Sequence, residues 1–139
     1  TSYEQYAPLF IDEVTSAGQR PALYIPPSYR DYPQYAGTLV DLCESVADGE
    51  SVTLIPINQA RYWVFQDRPG IDLFDEDGSH PSELGSYLDL CVIYAALYRR
   101  SPVGAEWVLS PDISDFLRDY LQAAAWYVTA DVMGWSASD

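Results

Sequence analysis

Two short apolar runs constrain this chain more than any other feature: Ala22–Ile25 and Val52–Ile57. Each is rich in apolar residues without polar alternation, and prolines stand at or beside both, at Pro21, Pro26, Pro27 and Pro56. Such runs read as strands buried on both faces, the kind found in parallel sheets. Segments of helical period surround them. Over residues 3–17, Tyr3, Tyr6, Ala7, Phe10 and Val14 recur at helical spacing and stop at Gly18, a natural helix end. Between the two runs, Pro33 suits a first helical turn, and Ala36, Leu39, Val40, Cys43 and Ala47 share one face. Helix, strand, helix, strand with short connections predicts an α/β fold: a small parallel sheet flanked by helices. A chain of 139 residues has room for one domain with a real core, so residues 1–139 are expected to form a single domain.

Downstream, residues 58–67 carry two readings. Tyr62-Trp63-Val64-Phe65 fits a strand, whereas Asn58 as a cap favours a short helix. Ser82 is a suitable N-cap for a helix with the stripe Leu84, Tyr87, Leu88, Cys91, Val92 and Ala95. A last helix is expected from Ser110-Pro111-Asp112, with Ile113, Phe116, Leu117, Leu121, Ala124 and Val128 facing inward and Gly134 ending it. Arg99-Arg100 falls at a helix C-terminus, where positive charge suits the dipole.

Charge narrows the partners. A formal net charge of −14 sets the chain against nucleic acid, whose binding needs basic residues to displace counterions, and against anionic membranes. No apolar run is long enough to span a bilayer. Cys43 and Cys91 sit in helical segments and read as buried thiols rather than a disulfide. With one histidine, the chain has no zinc pattern and no cofactor motif. It opens at Thr1 rather than Met, so further sequence is expected upstream.

The chemistry concentrates in Asp75-Glu76-Asp77-Gly78-Ser79-His80-Pro81-Ser82. His80 is the only histidine, and it precedes a helix start, in a loop beyond the sheet, where ligand and catalytic groups of open α/β folds gather. A carboxylate three residues earlier, across a turn containing Gly78, can reach the imidazole Nδ1. That contact would fix the tautomer and support the imidazolium formed when Nε2 takes a proton from a serine. Asp75 and Glu76 compete for this orienting role, but the spacing favours Asp77. The same residues also fit an ordinary solvated acidic turn. A calcium loop does not fit: with Gly78 as its sixth residue, the first and last ligand positions would be Leu73 and Leu84.

The stretch from Asp77 through Arg99-Arg100-Ser101-Pro102-Val103-Gly104 resembles the last conserved block of the GDSL/SGNH hydrolase superfamily, serine esterases and lipases. The likeness extends to Gly18-Gln19-Arg20-Pro21-Ala22-Leu23-Tyr24, to Leu54-Ile55-Pro56-Ile57, and to Leu121–Trp126. It implies a truncated flavodoxin-like α/β/α sandwich, with Asp77 and His80 as catalytic acid and base. The family's Gly-Asp-Ser nucleophile block and its oxyanion-hole Gly and Asn blocks have no counterpart here. Ser28, after the first strand, is the nearest local candidate, but Pro-Pro-Ser-Tyr-Arg is not a nucleophile elbow.

The resemblance therefore implies the Asp/His-bearing C-terminal part of an ester hydrolase for carbohydrate or small acyl esters, inactive alone. The alternative is a non-catalytic derivative of the fold that self-associates or binds a ligand. The expected partners are a second copy of the chain or a missing N-terminal half, with a small ester or carbohydrate as ligand. Aromatic side chains, abundant here, stack on sugar rings, although most also serve helix packing.

Overall fold

The computed structural model describes residues 1–47 and 51–136. Its elements run α1 (Ser2–Ser16), β1 (Ala22–Tyr24), a 3-10 turn (Pro33–Tyr35) leading into α2 (Ala36–Ala47), β2 (Thr53–Ile55), α3 (Ile57–Asp67), α4 (Glu83–Tyr98) and α5 (Asp115–Val132). Among the described residues the protein is α/β, with five α-helices and a small parallel sheet. β1 and β2 pair in parallel, Ala22 opposite Thr53 and Tyr24 opposite Ile55.

Both strands are shorter than their apolar runs, and proline explains why. Pro26 and Pro56 have no N–H to continue a ladder. Two further bonds extend the pairing, from Thr53 N–H to the Pro21 carbonyl (3.0 Å) and from Ile25 N–H to the Ile55 carbonyl (3.1 Å). Ile57, expected in the second strand, instead opens α3 and is fully buried. Residues 58–67 are helical, although Asn58 is not the cap. It lies inside the first turn, and its Nδ2 donates to the Pro26 carbonyl at 2.7 Å, joining the segments that leave the two strands.

The core lies mainly between helices. Tyr87, Leu88, Cys91 and Val92 of α4 meet Leu121, Ala124, Ala125 and Val128 of α5, with Ala60 and Val64 of α3 beside them. Fully burying a side chain such as Leu88 contributes about 1.5–3 kcal/mol. The expected α4 stripe is buried apart from Leu84, which is half-buried, and Ser82 caps the helix by accepting from Gly85 N–H at 3.1 Å. Cys43 and Cys91 are buried free thiols.

Further expectations are corrected. The two strands are not buried on both faces: Ala22 and Tyr24 are exposed, and Leu23, Thr53 and Leu54 are half-buried. α5 starts at Asp115 with Ser114 as its cap, because Ser110 spends its hydroxyl on a separate turn, accepting from Asp112 N–H. Phe116 consequently points outward, 61% exposed, beneath the guanidinium of Arg68. Of the apolar set at helical spacing in α1, Ala7 is buried together with Ile11, Tyr3 and Val14 are half-buried, and Tyr6 and Phe10 are exposed. Gly18 and Gly134 end α1 and α5 at positive φ (+73° and +66°), as expected. Among the described residues, no helix is long and apolar enough to cross a membrane.

Candidate functional site

The segment between α3 and α4 folds back on itself like a narrow hairpin. Phe74 bridges Pro81, Asp75 N–H donates to the His80 carbonyl (2.8 Å), and Ser82 N–H donates to the Leu73 carbonyl (3.1 Å). Gly78 turns the chain at φ +67°, a left-handed conformation that favours glycine. Asp77 organises the tip. Its Oδ1 accepts from the backbone N–H groups of Ser79 and His80, both at 2.9 Å, and its Oδ2 meets His80 Nδ1 at 2.5 Å.

Asp77 is thus the carboxylate that reaches the imidazole, whereas Asp75 turns to the N–H of Glu76. The hydrogen bond that His80 Nδ1 donates to Asp77, reinforced by the carboxylate charge, raises the His80 pKa above its ordinary value. The same bond, with the two backbone donors, holds Asp77 well below the usual carboxylate range. The His80 side chain is 78% exposed, and its Nε2 bonds to no group among the described residues. This is a base with a fixed ring, an orienting carboxylate and a free nitrogen.

Arg30, in the segment after β1, holds the hairpin from one side. Arg30 donates from Nη2 to the carbonyls of Phe74 (2.9 Å) and Asp75 (2.6 Å) and from Nε to Asp72 (3.2 Å). Its own N–H donates to the Gly78 carbonyl (2.9 Å). Below, Arg61 of α3 makes a bidentate pair with Asp89 of α4 (2.8 and 2.5 Å) and donates to the Leu73 carbonyl (3.2 Å). Burial raises the Asp89 pKa, with Arg61 opposing that shift. The Tyr24 hydroxyl donates to Asp89, and burial, with the Asp89 charge, pushes its pKa up to about 12. Gly85 permits this packing: a Cβ there would stand 2.0 Å from the Leu73 carbonyl oxygen.

Sequence reasoning missed Arg30, Arg61 and Asp89. One signal for the last two was available, since Asp89 is a lone charge among the apolar residues in the middle of α4.

Beside the hairpin, at the carboxyl ends of β1 and β2, lies a cleft of about 410 Å³ lined by Ser28, Tyr29, Arg30, Asn58, Arg61 and Tyr62 among others. Ser28 is in the cleft but His80 is not, and no hydrogen bond joins them. Among the described residues, no group of three or more His, Cys, Asp or Glu side chains could hold a metal ion. The fold and site together define an α/β chain presenting an oriented Asp–His pair. No family model, curated protein or solved structure matches it.

Proposed function

We propose that this chain is the Asp/His-bearing part of an SGNH-type serine ester hydrolase acting on carbohydrate or small acyl esters. Its sheet would then be a portion of a larger flavodoxin-like sandwich, and residues 1–139 one unit of it. The observation that carries this reading is the Asp77 carboxylate on His80 Nδ1, with Nε2 left free. In the reaction, a serine supplied from outside this chain loses its proton to Nε2 as its oxygen bonds to the ester carbonyl. His80 returns that proton to the departing alcohol, and the acyl-serine is then cleaved by a water deprotonated the same way. Asp77 keeps the ring in place and stabilises the imidazolium.

The test is ester hydrolysis by the full gene product that carries this chain. His80→Ala should lower kcat at least about a thousandfold, and Asp77→Asn by a smaller but still large factor. The isolated chain should not outpace its own His80→Ala variant and should resist a fluorophosphonate. Hydrolysis by the full product that survives His80→Ala would refute the reading, and stoichiometric labelling at Ser28 would replace it with a self-contained enzyme.

A second reading, self-association, rests on exposed apolar surface. Tyr6, Leu9 and Phe10 of α1 are 52–71% exposed, and the outer edge of β1 pairs with no strand among the described residues. Unpaired edges and apolar patches mark association surfaces. A two-fold dimer burying at least about 1,000 Å² would cover them. Sedimentation equilibrium at micromolar concentration should show a dimer or larger species; a clean monomer would exclude it.

A further inference from the structure

We propose that the groove bounded by α2, α3 and α5 binds an amphipathic organic amine, an ammonium head on an apolar body. At about 580 Å³ the groove falls within the size range of small-ligand sites, about 300–1,000 Å³. Its walls are largely apolar: Val40 of α2, Tyr62 and Trp63 of α3, and Tyr127 and Val128 of α5. The rings of Trp63 and Tyr127 stand 5.6 Å apart at 50°, forming a corner rather than a stack. Tyr62 and Tyr127 are 43% and 55% exposed, so ring surface is open to a ligand.

The polar groups select the charge. Asp131 lines the groove from the last turn of α5, where the helix dipole is already negative and no basic residue offsets it. Among the described residues its carboxylate makes no ion pair. Gln59 also lines the groove, and its Oε1 is a buried acceptor without a donor. An acceptor left in that state is costly, and an ammonium N–H would supply what it lacks. No arginine or histidine is among the described residues lining the groove, and the chain has no lysine. Aromatic faces attract a cation through the negative charge of their π-clouds. The formal net charge of −14 raises the concentration of cations around the whole molecule.

Other ligands fit less well. An anion would meet Asp131 with no cation to hold it. The first turn of α2 borders the groove at Ala36 and Gly37, but its entry through the 3-10 turn commits the Ala36 N–H to the Pro33 carbonyl. A wholly apolar ligand would cover the Gln59 acceptor and the Asp131 carboxylate without pairing either. The neighbouring cleft shares Pro33, Asn58 and Tyr62 with the groove but carries Arg30, Arg61 and Asp72. The groove presents a carboxylate and no guanidinium, so it is the one of the two that suits an amine.

The test is titration of the isotope-labelled chain at neutral pH with hexylammonium, hexanol and hexanoate, matched in chain length and held at one ionic strength. Hexylammonium should give saturable shifts at the Trp63 indole N–H, the Gln59 side-chain amide and the Tyr127 and Asp131 backbone signals. It should bind about fivefold more tightly than hexanol, and hexanoate should bind most weakly. Asp131→Asn, at an exposed site, should reduce the preference over hexanol to about twofold. Tyr127→Leu should weaken hexylammonium about two- to threefold and leave hexanol nearly unchanged. Equal binding of hexylammonium and hexanol, tighter binding of hexanoate, or a preference that Asp131→Asn leaves intact would overturn the proposal. So would shifts that never saturate and spread over the acidic surface. Neither Asp77 nor His80 lines the groove, so this experiment and the hydrolysis test can fail independently.

Discussion

Two charge pairs in this protein close to the same distance, 2.5 Å, in opposite surroundings. His80 and Asp77 sit at the tip of a hairpin, with side chains 78% and 50% exposed. Arg61 and Asp89 lie beneath its base, at 3% and 12%. In water, a contact of this kind contributes little to stability, because solvent screens it and ordering both side chains costs entropy. Away from water, each charge depends on the other, and removing one strands its partner. The buried pair therefore holds the hairpin against α3 and α4, and the exposed pair stays open to solvent. Exposure also leaves His80 Nε2 open to a reacting group.

The largest effect should come from separating the buried pair. Arg61→Leu leaves Asp89 buried without its cation and should cost about 3–5 kcal/mol in urea unfolding. Adding Asp89→Leu should recover much of that loss. If the single substitution proved as mild as one at Asp77, burial would not be what distinguishes the two pairs.

A smaller effect is expected at the turn between them. Gly78 adopts φ +67°, and a Cβ there would meet only ordinary contacts with Arg30, at 3.6 and 3.9 Å. Gly78→Ala should therefore cost only the left-handed backbone penalty, about 1–2 kcal/mol, measured in the same way.

The two pairs also differed in how visible they were in the sequence. Asp77 and His80 are three residues apart, so a local turn suffices to join them, and Ser82 caps the next helix by an equally local rule. The structure places all three as expected. Arg61 and Asp89 are 28 residues apart, and Arg30 reaches carbonyls 44 and 45 residues away. No local spacing encodes such contacts. The start of α5 was misread because Ser110 and Ser114 carry the same capping chemistry, and only tertiary placement shows which one is spent on a turn. The phase of α1 depended likewise on its packing partner, since Ile11, rather than Tyr6 or Phe10, joins Ala7 on the inward face.

The smallest effect on stability, and the most informative, belongs to the exposed pair. Its pH dependence has two limbs. The His80 pKa is raised on folding, so its contribution is fully present below the ordinary histidine value and fades as pH rises through the folded one. The Asp77 pKa is depressed, so its contribution is present above the ordinary aspartate value and is lost in acid. Proton abstraction needs neutral imidazole, so the raised pKa should also shift the acid limb of any activity profile upward.

One measurement tests the central claim, that Asp77 orients and charges His80. The protein has a single histidine, so its imidazole can be titrated by NMR without ambiguity, before and after Asp77→Asn. The wild-type pKa should lie above the unperturbed value of about 6.5 and fall toward it in the variant, because the amide keeps a polar contact but loses the charge. A wild-type pKa at or below that value, or one that Asp77→Asn leaves unchanged, would reduce the pair to an ordinary acidic turn.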